Sequence, residues 1–237
     1  MERLDKFIAA QGGHTRSEAR ALLRRGAVRV DGAVERSADR KIDPDATVVE
    51  VEGRRLNGER HRYIMLHKPA GVVSASRDSR EKTVVDLLPP ALWRKGLFPA
   101  GRLDKDTEGF VLLTDDGAFA HRILSPRGHV AKTYEAVVSG PVTEEDVRAF
   151  ADGLAIGPDL CRSAGLRVLC AGPQPRVEVV LTEGMYHQIK RMFAVRGKEV
   201  LYLKRTGIGP VALDPALPKG GARPLTAEER RLLGAQE

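Results

Sequence analysis

Between Gly101 and Gly109 the sequence reads Arg102-Leu103-Asp104-Lys105-Asp106-Thr107-Glu108, a short run in which carboxylates and cations alternate between glycine hinges. A carboxylate kept ionised can serve as a general base or as a nucleophile, and a neighbouring arginine can clamp an anion. If the stretch is extended, Arg102 and Asp104 point to one side and Leu103 to the other, so the leucine anchors the loop while the acid faces substrate. An acidic turn is the plain alternative, since Asp and Gly are ordinary turn residues. Further along, Met185, Ile189, Met192 and Phe193 recur at i, i+4, i+7 and i+8. This spacing predicts a helix over 185–195 with those four in the core and His187, Lys190 and Arg191 on another side. A cation from that side, brought against Asp104, would hold the carboxylate ionised in a partly dry pocket. A hydrated basic face is the competing reading. Asp104, Asp106 and Asp116 fit a metal-dependent nuclease poorly, because they lie in different local contexts with no histidine at helical spacing beside them; no metal is expected.

The elements that must carry these residues fall into two modules. Leu4, Phe7 and Ile8 recur at helical spacing, and Thr15 with Glu18 three residues on is a capping box that opens a second helix running to Arg25. Gly26 stops that helix, and Asp31-Gly32 is a hairpin turn between Ala27–Val30 and Ala33–Val34. On the second helix Arg16, Arg20 and Arg24 form one stripe beside an apolar stripe of Ala19, Leu22 and Leu23. Guanidinium groups in such a row can neutralise successive phosphates, unless Glu18 and Glu35 pair with them. Residues 53–62 are almost free of apolar side chains and carry two glycines, so a linker is placed at 56–62, between domains at 1–55 and 63–237.

In the second domain the expected strands are Tyr63–His67, Phe110–Leu113, Thr133–Ser139, Val177–Leu181 and Val200–Leu203. The expected helices are Ala118–Leu124, Glu144–Asp152, Met185–Val195 and Ala227–Leu233, with Asp115-Asp116-Gly117 as the turn and cap before Ala118. Strands outnumber helices without regular βαβ alternation, which predicts an α+β domain with a largely antiparallel sheet. The chain has 237 residues, 42% of them hydrophobic, and 39 Lys plus Arg against 32 Asp plus Glu give a net charge of +7. That balance suits a polyanionic partner. Two cysteines, Cys161 and Cys170, make neither a disulfide framework nor a four-thiolate metal site. No apolar run reaches membrane-spanning length, and the charged opening MERLDKF does not read as a signal peptide, so a cytoplasmic protein without a membrane partner is expected.

The segments RLDKFIAAQG and SEARALLRRGAVRVDG resemble the alpha-L (S-four-like) RNA-binding module first described in a small-subunit ribosomal protein. That resemblance implies an RNA-facing role for Arg3, Lys6, Arg16, Arg20 and Arg24. HKPAGVVSA, FPAGRLDKDTEGFVLLTDDG, HRILSPRGHVAKTYEAVV and EGMYHQIKRMFAVRGKEVLYLKRTGIG, in this order, resemble the motifs of pseudouridine synthases of the small-subunit ribosomal (RsuA) type. His67 stands where relatives often carry Asn. The resemblance implies a cofactor-free isomerase that breaks the bond between ribose C1′ and uracil N1, turns the base and rejoins it through C5. By similarity Asp104 is the catalytic carboxylate, either nucleophile at C1′ or base at C2′. Tyr134 stacks on the uracil and assists removal of the C5 proton, and Lys190 pairs with Asp104. Arg191 is its neighbour and possible substitute, Arg102 holds the extruded nucleotide or fills its place, and His187 and Leu203 line the substrate pocket. A uridine inside an RNA helix must leave its stack, at about a few kcal/mol, before such a site can reach it. Structured ribosomal RNA, small-subunit by preference, or a ribosomal assembly intermediate is the implied partner of a monomeric enzyme. Large-subunit or transfer RNA as target, and a non-enzymatic RNA-binding or ribosome-assembly role, are the alternatives.

Overall fold

Thr15 does what its spacing from Glu18 requires: its hydroxyl accepts from the Glu18 amide at 3.2 Å, and the Glu18 carboxylate accepts from the Thr15 amide at 2.6 Å. The helix so capped, α2 (Arg16–Arg24), packs beside α1 (Leu4–Ala10). The computed structural model describes residues 1–11, 14–44, 46–56, 61–125, 128 and 130–235. They form two compact units, residues 1–62 with 88–97, and residues 63–87 with 98–237. Of the linker expected at 56–62, residues 57–60 lie outside the described ones.

In the first unit Val28–Val30 and Ala33–Val34 pair through a turn in which Asp31 (φ 50°) and Gly32 (φ 83°) both take positive φ, the conformation that matches strand twist. Val49–Val51 and Arg54–Leu56 complete a four-stranded antiparallel sheet. Leu4, Phe7, Ile8, Leu22 and Leu23 of the helices meet Val28, Val30, Val49 and Val51 in its core.

The second unit is organised by one nine-stranded sheet. Along its main path the order is Gly165–Cys170, Arg176–Leu181, Lys132–Val138, Val200–Ile208, Glu108–Thr114, Tyr63–Lys68, Ala222–Pro224; Val211–Ala212 and Phe98–Pro99 pair at its sides. All pairings are antiparallel except that of Lys204 and Arg205 with Glu108 and Gly109. That parallel junction requires Gly109: at φ 107°, a Cβ there would lie 2.2 Å from the Arg205 carbonyl oxygen and 2.6 Å from its nitrogen. The central strands Tyr63–Lys68 and Glu108–Thr114 are buried at every position, whereas Lys132–Val138 alternates between buried and half-buried residues. Four helices accompany the sheet: α3 (Gly117–Leu124), capped by Asp116; α4 (Glu144–Asp152), capped by Thr143; α5 (Gln188–Val195); and α6 (Ala227–Leu232), capped by Thr226. The expected α+β class and mainly antiparallel sheet are present.

The expected elements need correction. The helix read over 185–195 begins at Gln188, because His187 takes a left-handed conformation (φ 50°, ψ 33°) and acts as its N-cap; Met185 therefore lies in the preceding loop, half-buried. The strand Gly165–Cys170 is not among the expected ones because it is a sheet edge, exposed at five of its six residues, and lacks a buried stripe to give the pattern. The strand Ala222–Pro224 is too short, and its proline too unlike a strand residue, to show in the pattern.

Candidate active site

The loop carrying Asp104 is held from both sides by the segment that follows the strand Tyr63–Lys68. On the near side the Ser74 hydroxyl donates to the Leu103 carbonyl, and its oxygen accepts from the Leu103 amide, both at 3.0 Å. On the far side the Gly71 amide donates to the Lys105 carbonyl at 2.8 Å. Lys68, fully buried, directs its ammonium at three carbonyls: Pro69 at 3.0 Å, Lys105 at 3.1 Å and Thr107 at 2.7 Å. Burial draws its pKa down to about 8, against the opposing pull of Asp106, Asp104 and Glu108. The Thr107 amide closes a turn onto the Asp104 carbonyl at 3.1 Å. Leu103 is buried, Arg102 is exposed and Asp104 is half-buried, so alternation along the loop turns the carboxylate outward from its anchor.

Helix α5 supplies the cations. Lys190 Nζ lies 3.2 Å from Asp104 and donates to both oxygens of Asp106 at 2.6 and 2.9 Å. His187 Nε2 stands 3.5 Å from the other Asp104 oxygen. Burial lowers the Lys190 pKa, but the hydrogen bonds from Asp106 and Asp104 outweigh it and the net shift is upward; the same Lys190 bond lowers the pKa of Asp106. Both paired groups therefore stay charged at neutral pH. Lys190 is shared between two carboxylates, and Asp106, which sequence reasoning considered only as a metal ligand, is the nearer one.

Arg191 is not brought to Asp104. One of its Nη atoms donates to the Ile156 carbonyl and lies 3.5 Å from Asp159, and the other donates to the Tyr186 carbonyl at 3.4 Å. Residues 190 and 191 are 100° apart on a helix, so only one of them can face the loop. Asp116 is not part of the cluster either: it caps α3 and accepts from the Tyr63 hydroxyl at 2.8 Å.

Around Asp104 is a cleft with two parts. The inner part, about 80 Å³, is lined by Asp104, Tyr134, Leu181, Met185, Ile189 and Leu203; the outer part, about 560 Å³, shares Arg102, Asp104, Tyr134 and His187 and extends past Lys132 and Arg205. The Thr107 hydroxyl, also in the lining, is buried without a partner among the described residues. Tyr186 stands exposed at the outer part with its ring stacked on His187, centroids 3.8 Å apart. The arrangement presents a carboxylate, with a lysine beside it, to a space whose walls are aromatic and aliphatic, which suits a flat, weakly polar ring attached to a polar body. Lys132 and Arg205 of this lining escaped sequence reasoning, although Lys132 is two residues from Tyr134 and Arg205 two from Leu203, the spacing that puts each pair on one face of a strand.

In the first unit the basic residues are organised by a carboxylate other than the two expected. Arg3, Arg16 and Arg20 converge on Asp5 at 3.1, 3.1 and 2.9 Å, while Glu18 caps α2 and Glu35 binds Arg40. Asp5 is fully buried; burial raises its pKa, but the three guanidinium groups outweigh this and hold it far below the usual carboxylate range. The arginines keep about half of their side-chain surface exposed. Lys6 pairs with Glu2 at 3.0 Å, and Arg24 is exposed.

An outward carboxylate paired with a lysine beside an aromatic wall, and a separate arginine-bearing helix pair, fit an enzyme with an appended binding module. Residues 62–195 match the RNA pseudouridylate synthase family and residues 2–48 the S4 domain. The uncharacterized RNA pseudouridine synthase YtzG of Bacillus subtilis (strain 168) is 46% identical over 98% of either chain. Ribosomal small subunit pseudouridine synthase A of Escherichia coli (strain K12) is 43% identical, across 96% of this chain and 97% of the relative. A solved pseudouridylate synthase superposes with a TM-score of 0.68 at 39% identity, covering 98% of this chain and all of the other. The chain belongs to the RNA pseudouridine synthase family: it is an isomerase that converts uridine in RNA to pseudouridine.

Proposed function

We propose that the chain isomerises a uridine of small-subunit ribosomal RNA, with Asp104 as the carboxylate that acts on the ribose. The observation that carries this reading is Asp104 itself, paired with Lys190 at 3.2 Å and opening on a pocket walled by Tyr134 and Leu203. The extruded base lies in the inner pocket against Tyr134 and Leu203, and its ribose stands at Asp104. Asp104 acts as nucleophile at C1′ or as base at C2′, and the N1–C1′ bond breaks. The uracil turns, C5 bonds to C1′, and the C5 proton is lost as N1 gains one, so that no atom or electron is exchanged with a cofactor. Tyr134 stacks on the ring and assists the C5 proton. Lys190 places its cation beside Asp104, Arg102 holds the nucleotide from the exposed side of the loop, and His187 contributes to the same wall. The choice of small-subunit RNA rests on the name and near full-length similarity of the Escherichia coli relative.

The domain at 63–237 carries the chemistry. That at 1–55 carries RNA binding through Arg3, Lys6, Arg16, Arg20 and Arg24, which supplies part of the energy that unstacking the base consumes. The enzyme acts as a monomer on ribosomal RNA or on an assembly intermediate in the cytoplasm; no helix among the described residues is long and apolar enough to cross a membrane. The test is to map pseudouridines in cells lacking the chain and in cells restored with the wild type or with Asp104→Asn. One small-subunit site absent in the deletion, restored by the wild type and not by Asp104→Asn, is the expected result. A missing site in large-subunit or transfer RNA would reassign the target. Restoration by Asp104→Asn would remove the catalytic assignment and favour a binding role. Undiminished turnover in excess chelator is expected as well.

A further inference from the structure

The floor of the cleft is built by two neighbouring strands. Tyr134 and Arg205 are direct cross-strand partners, Lys132 lies two residues before Tyr134, and Leu203 two before Arg205. Alternation therefore sets Leu203, Tyr134, Arg205 and Lys132 on one face, apolar toward the inner pocket and cationic toward the outer cleft.

The two cations at that floor are almost wholly buried, Arg205 3% and Lys132 7% exposed, and neither meets a carboxylate among the described residues. Arg205 donates from Nε to the Phe110 carbonyl at 2.7 Å, while its Nη2 is buried with no partner among the described residues. Its Nη1 approaches Gly101, three residues before Asp104, to 4.0 Å from where a Cβ would stand. Among the described residues Lys132 has a single long contact, 3.4 Å to the Ile123 carbonyl. The carboxylates that line the same cleft are engaged elsewhere: Asp104 with Lys190 and His187, Asp78 with the amides of Arg80 and Glu81, Glu183 with Gln188 and the Arg162 amide. Two desolvated cations side by side repel each other and carry unmade hydrogen bonds, and an anion entering the cleft relieves both costs. A phosphate, with several acceptor oxygens, matches a guanidinium edge and an ammonium together.

We propose that Lys132 and Arg205 form a phosphate subsite on the cleft floor, which takes the phosphate of the nucleotide whose ribose stands at Asp104. The proposal rests on the reading of this cleft as the uridine site, and it adds what fixes the nucleotide's direction: base toward Leu203, backbone toward Arg205.

Uridine, 5′-uridine monophosphate and 3′-uridine monophosphate, titrated into the full chain and followed by NMR, test it. Charge-assisted hydrogen bonds predict that one monophosphate binds the wild type about 10- to 100-fold more tightly than uridine. In Lys132→Met and in Arg205→Met that advantage falls to about 3-fold or less, while Arg148→Met, which removes an equal charge from the exposed side of α4, leaves it intact. Should Arg205→Met not fold, Lys132→Met carries the test. Equal binding of uridine and both monophosphates by the wild type, or an advantage unchanged in Lys132→Met, overturns the subsite. Asp104→Asn keeps the phosphate advantage; since that variant also reports on catalysis, loss of the catalytic reading and loss of the subsite are separately visible.

Discussion

Lys68→Met tests the idea that a buried ammonium clips the loop carrying Asp104 in place. The substitution keeps the stem's volume and removes three donors, leaving the carbonyls of Pro69, Lys105 and Thr107 without them. Each orphaned carbonyl costs about 1–3 kcal/mol, partly offset because the buried charge also disappears. The charge penalty has a defined pH dependence. The folded-state pKa, about 8, lies below the ordinary 10.5, so between these values the unfolded chain binds more protons and wild-type stability rises with pH. The 2.5-unit difference corresponds to a rise of about 3 kcal/mol over that window at about 1.36 kcal/mol per unit. Lys68→Met lacks this rise. We expect the variant to lose about 3 kcal/mol at pH 7, and its deficit relative to wild type to widen as pH goes from 7 to 9.5, read from urea unfolding by far-UV circular dichroism. Turnover, followed as tritium released from C5-labelled uridine in RNA, falls about 100-fold because the loop is no longer held to within an ångström. RNA affinity stays within about 3-fold, because the basic helix pair belongs to the other unit and keeps its own core. A deficit that narrows with rising pH, or wild-type turnover in the variant, would refute the clip.

Lys190→Met strips the cation from Asp104 and Asp106 together and is expected to cost about 100-fold in single-turnover rate, whereas Asp106→Asn leaves Lys190 on Asp104 and costs about 10-fold or less; the reverse order would show that Asp106 is the acting carboxylate. Asp5→Asn is expected to destabilise by about 3–5 kcal/mol in thermal unfolding, since three arginines lose one buried counter-ion. The stability Asp5 contributes is present above its ordinary pKa of 3.8 and lost as pH falls below it. The same variant should bind RNA more weakly despite its extra positive charge, because its arginines are no longer held together; tighter binding in a filter assay would contradict this. Gly109→Ala is expected to lose more than about 4 kcal/mol or fail to fold, since its Cβ would fall against the Arg205 backbone at a positive φ. A melting temperature near that of wild type would show that the parallel junction can shift.

Much of the local architecture could be read without coordinates because its causes are local. The Thr15–Glu18 capping box, the Asp31-Gly32 turn and the span of α4 each depend on residues three or four apart, and their geometry is as expected. Alternation along one loop could set an outward Asp104 beside a buried leucine, but it left an acidic turn as the alternative; the resemblance of the surrounding motif singled Asp104 out. The helix start at Gln188 was not legible, since nothing in the spacing of Met185 and Ile189 signals that His187 adopts a left-handed conformation.

Residue types, their periodicity and the motifs together determined the two modules, the α+β class and the family, and they singled out Asp104 as the candidate carboxylate. Only tertiary structure decided which charges meet. Lys190 and not its neighbour Arg191 faces Asp104 because a helix turns by 100° per residue, and the docked position of α5 selects one side. Asp5 and not Glu18 or Glu35 gathers the arginines, because α1 lies beside α2 and buries it there. Lys132 and Arg205, 73 residues apart, share the cleft floor through a strand register that no local pattern encodes. Contacts of this kind depend on how elements pack, and packing is settled by the whole core at once.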